Sequence, residues 1–383
     1  MKNFYLQKLQ DLQEHGLLRQ RKTISGPQGP HLQADGQLLL AFASNDYLGL
    51  ANHPDLVRAA HAALDSHGLG AGASALISGH TEPVAQLEQA LASWLGQERA
   101  LHFSTGYMAN LGAIPALVGD GAAVFSDALN HACLIDGIRL ARPASLTVYP
   151  HGDLAQLEEG LSQSEASEKW IITDGVFSMD GDIAPLAELV SLAERHDARI
   201  LVDDAHGFGV LGEEGRGTLS HLGVNSPRVI YMATLGKAAG VFGAFIAASA
   251  DVIEWLLQRA RTYIFTTGTP PVLAAACLAS LQRIRQDGFR RDRLKQLGQQ
   301  LQAGARGLPW KLLPSQTAIH PLIVGDNFTV TRIAQSLQQQ GLWVPAIRPP
   351  TVPPGASRLR ISLSASHEPA HVERLLAALR SLA

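Results

Sequence analysis

RILVDDAHG, residues 199–207, contains an apolar run with the length of a buried strand, followed closely by two acids and a histidine. Similar runs recur along the middle of the chain, and helical patterns such as residues 183–197 separate most of them. This alternation predicts an α/β fold with a mostly parallel, seven-stranded sheet flanked by helices. The other six predicted strands lie in ALHFST (100–105), AAVFSD (122–127), LTVYP (146–150), WIITDGVFS (170–178), VIYMAT (229–234) and GAFIAAS (243–249).

Changes in composition divide the chain into three predicted parts. Residues 1–45 have the pattern of an arm with one helix and a short strand, and residues 46–275 contain the strand and helix alternation of a large domain. Residues 276–383 begin with a charged, Gln-rich helical stretch and continue with short strand-like runs. This last part predicts a small α+β C-terminal domain.

Composition also narrows the classes of function. A formal net charge of −3 offers no basic surface for a phosphate backbone, so we expect no nucleic-acid partner. Cys133 and Cys277 predict neither a disulfide framework nor a thiolate zinc site, and they favour a reducing, cytoplasmic setting. The spacing of Leu6, Leu9 and Leu12 indicates an amphipathic helix rather than an export signal. No apolar run is long enough for a bilayer, so we expect no membrane role.

Three motif matches lack the context that their chemistry requires. GLGAGA at 68–73 resembles a dinucleotide-binding pattern, but a helical pattern precedes it where a strand is needed. GK at 236–237 lacks the upstream glycine and the following Ser or Thr of a phosphate-binding P-loop. The 15 histidines include no H-E-x-x-H pair, and we expect no metal site.

Polar residues collect where the predicted strands end. Because ligands of open α/β sheets bind outside the carboxyl ends of the strands, we expect these loops to converge on one small-molecule site. They are residues 104–107, 127–131, 174–178, 203–206 and 234–237.

The most informative of these residues is Lys237, which stands among alanines and glycines in ATLGKAAG (233–240). A lysine in such surroundings is suited to a Schiff base with a carbonyl compound or with pyridoxal phosphate. That cofactor needs an acid for its ring nitrogen and donors for its phosphate. Asp203 offers the acid, His206 a group for the phenolic oxygen, and STGY (104–107) backbone N–H groups at a helix start.

Each residue alone also has an ordinary structural interpretation. Lys237 alone is typical of a solvated loop lysine, Asp203 of a helix cap or turn, and STGY of a simple helix start. Their joint placement at successive strand ends favours a shared site.

The sequence resembles a known family, the α-oxoamine synthases, over nearly the whole chain. The resemblance implies a pyridoxal 5′-phosphate enzyme with the aspartate-aminotransferase-like fold, called fold type I. The matching motifs are FASNDYLGL (42–50), TDGVFSMDGDIAPL (173–186), LVDDAHGFGVLGEEGRG (201–217), TLGKAAG (234–240) and IRPPTVPPGASRLRISLSASHE (347–368).

The resemblance implies specific roles in the cofactor site. Lys237 would carry the cofactor and act as the base that takes the α-proton of the amino acid. Asp203 would keep the pyridine nitrogen protonated, and His131 would stack on the ring. His206 and Ser178 would lie near the phenolic oxygen. The remaining implied contacts, all to the phosphate, are Gly106, Tyr107 and Thr234.

Further roles concern the subunit interface and the substrates. The resemblance implies a homodimer with shared active sites, in which Thr266 and Thr267 of one subunit complete the phosphate site of the other. Arg360, assisted by Asn45, would pair with the substrate carboxylate. The implied contacts to the acyl thioester or its carboxylate tail are Arg19 and Arg348.

The implied reaction is a decarboxylative condensation of L-alanine with a pimeloyl thioester in biotin synthesis. Ser74 stands where glycine-specific relatives carry threonine, and the smaller side chain leaves space for the methyl group of alanine. Ala75 and Val84 depart from the family pattern and leave the acyl chain length and the thiol carrier, CoA or acyl-carrier protein, open.

Two alternatives remain. One is a glycine-using relative, 2-amino-3-oxobutyrate CoA ligase or 5-aminolevulinate synthase. The other is a non-catalytic scaffold subunit of the same fold, which predicts erosion of Lys237 or its partners.

Overall fold

The structure, a computed structural model, describes residues 2–19 and 21–383, which form two compact units. The larger unit contains Leu48–Ser178 and Asp182–Arg291. The smaller contains the described residues up to Tyr47, Met179–Gly181 and Asp292–Ala383. The described part of the predicted N-terminal arm therefore belongs to the same unit as the end of the chain.

The larger unit is built on one seven-stranded sheet. Strand Ala244–Ala248 is antiparallel to both of its neighbours, and the other adjacent strands are parallel. The predicted α/β fold with a mostly parallel, seven-stranded sheet is therefore confirmed. In spatial order the strands are Arg99–Phe103, Ala244–Ala248, Val229–Thr234, Ala198–Asp203, Lys169–Asp174, Ala123–Asp127 and Ser145–Tyr149.

Both faces of the central strands are buried, because alternate side chains of these strands enter different cores, whereas four of the five residues of the edge strand Ser145–Tyr149 are exposed. Ile200 and Val202 pack into one apolar cluster, and Leu201 between them packs into the other. This explains why the central strands are continuously apolar in sequence. The flanking helices are Pro54–His67, Glu82–Leu95, Gly106–Leu117, Ala132–Ala141, Leu154–Gln163, Leu186–Arg195, Thr218–His221, Ala250–Arg259, Arg261–Ile264 and Pro271–Gln286, with a π-helical turn at Ala75–Gly79 and a 3₁₀ turn at Glu213–Gly215.

The smaller unit contains two four-stranded sheets. One consists of Ile24–Ser25, His31–Ala34, Gln37–Ala41 and Leu342–Trp343, and the other of Lys311–Leu312, Ile319–Gly325, Ser357–Ser362 and Ala346–Ile347. Its helices are Lys2–Glu14, Asn327–Gln339 and Pro369–Ser381, and helix Gly288–Gly304 contains the boundary with the larger unit.

The N-terminal helix predicted from the leucine spacing is present at Lys2–Glu14. Its leucines are nevertheless exposed, with Leu6 at 55% and Leu9 at 48%. The described residues of this chain therefore leave the apolar stripe of the helix uncovered. Among the described residues, none of the helices combines the length and the hydropathy needed to cross a bilayer.

Two adjacent acids at the end of strand Ala198–Asp203 have different environments. Asp203 belongs to the site described below, whereas Asp204 is fully buried and ties distant segments together. Its carboxylate accepts hydrogen bonds from the Thr218 backbone N–H at 2.7 Å and from the Tyr231 hydroxyl at 2.7 Å. A Cβ atom at Gly217 would lie 2.1 Å from Asp204 Oδ2, so this glycine is required for the close approach.

Candidate active site

Lys237 lies in a tight loop that follows strand Val229–Thr234. The Gly240 N–H donates to the Lys237 carbonyl at 2.8 Å, and Gly240 has a φ of +71°. A Cβ atom at Gly240 would lie 2.5 Å from the Ala51 backbone nitrogen, so only glycine fits this turn. The turn directs Lys237 Nζ to within 2.8 Å of His206 Nε2. The lysine that had no polar partner in the local sequence therefore has one in the fold.

His206 and Asp203 share the turn after strand Ala198–Asp203. The Phe208 N–H donates to the Asp204 carbonyl, which starts a helical turn and sets His206 on the same side as Lys237. Asp203 is 3% exposed, and its carboxylate accepts from the Ala205 N–H at 3.0 Å and from Asn110 Nδ2 at 2.7 Å. Within residues 2–19 and 21–383 no cationic side chain forms an ion pair with Asp203. A protonated ligand atom beside this buried carboxylate would stabilise its charge.

His131 approaches the same cleft from a neighbouring strand end. Its backbone N–H donates to Asp174 Oδ2 at 2.7 Å, and its Nδ1 accepts from the Cys133 N–H at 3.3 Å. A neutral ring with this acceptor carries its proton on Nε2. Burial lowers the pKa of His131, and the charge of Lys237 lowers it further, against an opposing effect of Asp203. The ring is therefore a neutral hydrogen-bond donor at neutral pH.

Asp174 is a second acid in this cleft. It pairs in register with Asp203 on the adjacent strand, and burial followed by the charge of Asp203 raises its pKa well above the ordinary value. A proton held by Asp174 relieves the repulsion between the two acids.

An anion site lies at the start of helix Gly106–Leu117. Thr105 caps this helix by accepting from the Met108 N–H at 3.1 Å, and the backbone N–H groups of Gly106 and Tyr107 begin its first turn. First-turn N–H groups have no acceptor within the helix and favour anions. A Cβ atom at Gly106 would lie 3.0 Å from the Met232 methyl carbon, so the missing side chain keeps this end of the cleft open.

Thr234 uses its hydroxyl inside the protein. The hydroxyl donates to the Gly243 carbonyl at 2.9 Å and accepts from the Gly236 N–H at 3.2 Å. Its single proton is therefore engaged in shaping the Lys237 loop, and direct donation from Thr234 to a phosphate stays a prediction.

One open cleft of about 540 Å³ collects most of the predicted cofactor residues. Ser178 is not among the lining residues, and it lies four positions beyond strand Lys169–Asp174. The predicted cofactor residues that line this cleft are Gly106, Tyr107, His131, Asp203, His206, Thr234 and Lys237. The other lining residues, which the sequence did not assign, are Cys133, Asp174, Ala205 and Met232.

Thr266 and Thr267 line a different cleft of the larger unit, together with Ala75 and Gly79. Ser74 forms a β-bridge with Thr267, and the Gly268 N–H donates to the Ala73 carbonyl at 2.8 Å. The structure therefore places Ser74, predicted to select the amino acid, next to Thr267, predicted to contact the phosphate. Neither residue lines the Lys237 cleft of the same chain.

A buried arginine site lies in the smaller unit. Arg360 is 6% exposed, and its guanidinium donates to Asn45 Oδ1 at 3.2 Å, to Ser362 Oγ at 2.8 Å and to the Tyr47 hydroxyl at 3.3 Å. These three groups are neutral hydrogen-bond acceptors, and they orient the planar guanidinium. Burial raises the pKa of Tyr47, which stays a neutral phenol beside the arginine. The sequence predicted Arg360 and Asn45, and it missed Tyr47 and Ser362.

Arg19 and Arg348, the arginines predicted to contact the acyl substrate, lie in different environments. Arg19 is exposed, whereas Arg348 is half-buried and donates from Nη1 to the Gly16 carbonyl. Arg348 thus fastens the chain segment that follows the N-terminal helix, and a contact of either arginine with an acyl substrate stays a prediction.

The groups in the Lys237 cleft match what pyridoxal phosphate requires. An amine is present at Lys237, a buried acid that forms no ion pair within the described part of the chain at Asp203, and a helix start suited to an anion at Gly106. A flat ring with a basic nitrogen, an aldehyde and a phosphate would satisfy all three.

Comparisons with known proteins agree with this chemistry. The sequence pattern of the class I and II aminotransferases matches residues 38–379. The 8-amino-7-oxononanoate synthase of Herminiimonas arsenicoxydans is 59% identical over 97% of this chain and 96% of its own length. The enzyme of the same name from Bordetella petrii is 56% identical over 98% of this chain and 96% of its own length.

Solved structures show the same fold. A high-resolution structure of SPT with a PLP internal aldimine has a TM-score of 0.93 and 30% identity, and the match covers 99% of this chain and 96% of that one. A crystal structure of 8-amino-7-oxononanoate synthase from Francisella tularensis has a TM-score of 0.78 and 28% identity, covering 90% and 97%. The resemblance to the α-oxoamine synthases is thereby confirmed. The chain belongs to the class I and II aminotransferase family, and it is an enzyme of fold type I whose cofactor is pyridoxal 5′-phosphate.

Proposed function

We propose that this enzyme condenses L-alanine with a pimeloyl thioester, releasing CO₂ and the free thiol carrier and forming 8-amino-7-oxononanoate for biotin synthesis. The observation that carries the proposal is the cluster of Lys237, His206, Asp203 and His131 in one cleft. The names of relatives that are 54–59% identical over nearly the whole chain support the choice of product.

When bound, pyridoxal phosphate supplies an aldehyde that joins amines covalently and a ring that accepts the electron pair left on an α-carbon. Lys237 would hold the cofactor through Nζ and, once released by the incoming alanine, take the α-proton at the same atom. His206, 2.8 Å from Nζ, fixes the direction of the lysine and would lie near the phenolic oxygen. Asp203 would keep the proton on the ring nitrogen, which is the condition for the ring to accept electrons.

His131 would act on the second substrate as well as on the cofactor. Its neutral ring would stack on the cofactor, and the proton on Nε2 would be donated to the thioester carbonyl oxygen as negative charge develops there. The hydrogen bond from the Cys133 N–H to Nδ1 supports this tautomer.

Phosphate binding would involve two copies of the chain. Gly106 and Tyr107 would donate their backbone N–H groups, and Thr234 would support the loop of Lys237. Thr266 and Thr267 would come from a second copy, because within one chain they line a separate cleft. We therefore propose a homodimer with shared active sites.

Substrate recognition would rest on arginine side chains and on Ser74. Arg360, oriented by Asn45, would bind the alanine carboxylate, and Arg19 and Arg348 remain the candidates for the acyl chain. Ser74 would leave space for the methyl group of alanine. One methyl group changes specificity by about 1–3 kcal/mol, so we expect a preference for alanine over glycine rather than strict exclusion.

The experiment that tests this function compares amino acids at a fixed pimeloyl-CoA concentration. The purified enzyme, loaded with pyridoxal phosphate, is mixed with L-alanine or glycine, and the product mass and free thiol are measured. We expect 8-amino-7-oxononanoate and thiol in equal amounts with alanine, and loss of both in Lys237→Ala. A faster reaction with glycine would transfer the assignment to the glycine-using relatives. No product with either amino acid from a cofactor-loaded enzyme would contradict the proposal.

A further inference from the structure

One histidine outside the predicted site joins the loops of three adjacent strands. His151 follows strand Ser145–Tyr149 and lies between two aspartates. Its Nδ1 is 3.0 Å and 3.1 Å from the two oxygens of Asp127, which ends strand Ala123–Asp127. Its Nε2 is 2.8 Å from Asp182 Oδ2, in the loop beyond strand Lys169–Asp174. Both ring nitrogens therefore face a carboxylate.

This arrangement keeps the ring positively charged. The hydrogen bond to Asp127, followed by that to Asp182, raises the pKa of His151 to about 10. Asp127 is only 4% exposed, and burying its negative charge is unfavourable in free energy unless a cation lies beside it. The imidazolium of His151 and the carboxylate of Asp127 thus stabilise each other.

Asp127 connects this histidine to His131. Asp127 Oδ1 accepts from the Leu129 N–H at 2.8 Å, and the Asp127 carbonyl accepts from the Asn130 N–H at 3.2 Å. These bonds define the turn that ends at His131. A change in the Asp127 carboxylate would therefore move the residue that is predicted to stack on the cofactor.

Asp182 connects the same histidine to Ser178. The Asp182 carbonyl accepts from the Phe177 N–H at 3.0 Å. The Phe177 ring also packs edge-on against the His151 ring, with 4.3 Å between ring centres. Because Phe177 directly precedes Ser178, a displacement of His151 would also move the loop that contains Ser178.

We propose that His151 is a positioning residue for the reaction: its imidazolium clamps Asp127 and Asp182 and thereby fixes the loops that present His131 and Ser178 to the cofactor. This inference rests on the proposed function, because it assumes that those two residues contact pyridoxal phosphate. His151 itself has no role in the chemistry.

The test uses His151→Gln in the full-length, cofactor-loaded enzyme, because glutamine keeps a hydrogen-bonding group and loses the charge. The matched control is His196→Gln, since His196 also lies near a carboxylate, 3.8 Å from Glu158, but next to the start of strand Ala198–Asp203. Readouts are the visible circular dichroism of the bound cofactor, its dissociation constant, and kcat and KM for alanine. Far-UV circular dichroism checks the fold.

We expect His151→Gln to weaken the visible circular dichroism band and to lower kcat about tenfold, with KM for alanine within about twofold of the wild type. His196→Gln should match the wild type in all readouts. A folded His151→Gln enzyme with unchanged dichroism and kcat would overturn the inference. If the wild type itself shows no cofactor band or no product, the proposed function has failed instead.

Asp182→Asn provides a second test, which stands even if His151→Gln does not fold. Asp182 is 39% exposed, so this change removes one side of the clamp and leaves the buried Asp127 paired. We expect the same direction of change in dichroism and kcat, to a smaller extent, and no additional loss when Asp182→Asn is combined with His151→Gln. An unchanged Asp182→Asn enzyme, or fully additive losses in the double variant, would contradict the clamp.

Discussion

Asp203 and Asp204 are consecutive buried acids with different surroundings. Asp203 lines the Lys237 cleft, and Asp204 lies in the interior of the larger unit. Asp203 has an amide partner in Asn110 and lines the Lys237 cleft. Asp204 does not line that cleft. Its carboxylate accepts hydrogen bonds from the N–H and the hydroxyl of Thr218 and from the hydroxyl of Tyr231. Burial alone therefore does not identify a functional acid. What distinguishes Asp203 is that its carboxylate faces a space in which a cation would fit.

The largest expected effect comes from Asp203→Asn. An amide cannot hold the proton of the ring nitrogen, so we expect kcat to fall by about 1,000-fold, within the range of acid and base contributions to catalysis. The melting temperature should stay near that of the wild type, because the new amide can still accept from the Ala205 N–H and can donate to Asn110 Oδ1 once the Asn110 side-chain amide turns over. Steady-state kinetics and thermal unfolding measure the two effects. A variant that keeps more than a tenth of the wild-type kcat would remove the distinction between the two acids.

The same substitution at Asp204 should have the reverse profile. Asp204→Asn leaves part of the Thr218 and Tyr231 donor set without an acceptor, which costs about 1–3 kcal/mol in the free energy of unfolding. We expect kcat of the folded enzyme to stay within about threefold of the wild type, since Asp204 does not line the cleft. Urea unfolding and kinetics on one preparation test this. A large loss of kcat without a loss of stability would show that Asp204 acts in the reaction.

Arg360→Lys tests the buried arginine site of the smaller unit. Lysine keeps the positive charge but loses the planar fork that Asn45, Tyr47 and Ser362 orient, so it cannot make a bidentate pair with a carboxylate. We expect KM for alanine to rise about tenfold, with a smaller change in KM for pimeloyl-CoA. The matched control is Arg293→Lys, in helix Gly288–Gly304 of the same chain. An unchanged KM for alanine in Arg360→Lys would place carboxylate recognition elsewhere.

A further prediction concerns the pH dependence of stability and three buried histidines outside the Lys237 cleft. Burial lowers the pKa of His102, His320 and His367 to about 4, from an ordinary value of 6.5. The unfolded chain therefore binds protons that the folded chain does not, and stability that is complete above pH 6.5 is lost as the pH falls toward 4. His151 stays protonated in the folded chain throughout this window and contributes no slope below pH 6.5.

Three such groups give a decrease of about 4 kcal/mol in the free energy of unfolding per pH unit, once the pH is below about 6. His320→Leu should reduce that slope by about one third, because it removes one of the three proton uptakes. Urea unfolding between these pH limits measures both slopes. Identical slopes for the variant and the wild type would show that His320 does not couple folding to pH.

The sequence predicted the parts of the site that lie in strand ends and in contiguous motifs. Lys237, His206 and Asp203 were identifiable because each stands in a loop directly after an apolar run, where a parallel sheet collects ligand-binding residues. The central strands of the sheet were identifiable for the same reason, since both of their faces are buried and their sequences are continuously apolar.

Other parts of the site had no local pattern. Asn110 lies inside the apolar helix Gly106–Leu117, and only its tertiary contact with Asp203 gives it a role. Asp174 and Cys133 gain their roles by supporting His131, which spacing does not show. Thr234 was predicted from its position, yet the engagement of its hydroxyl with Gly243 depends on the return of the next strand. The exposure of Leu6 and Leu9 likewise depends on what the helix meets in the fold.

The central claim is that Lys237 carries the cofactor, and reduction of the loaded enzyme with borohydride tests it most directly. The reduced protein is digested, and the peptide that carries the phosphopyridoxyl group is identified by mass spectrometry. The account predicts modification of Lys237 alone, and its disappearance after a substrate displaces the lysine. Modification of another lysine, or of none in an enzyme that retains the visible cofactor band, would contradict the account.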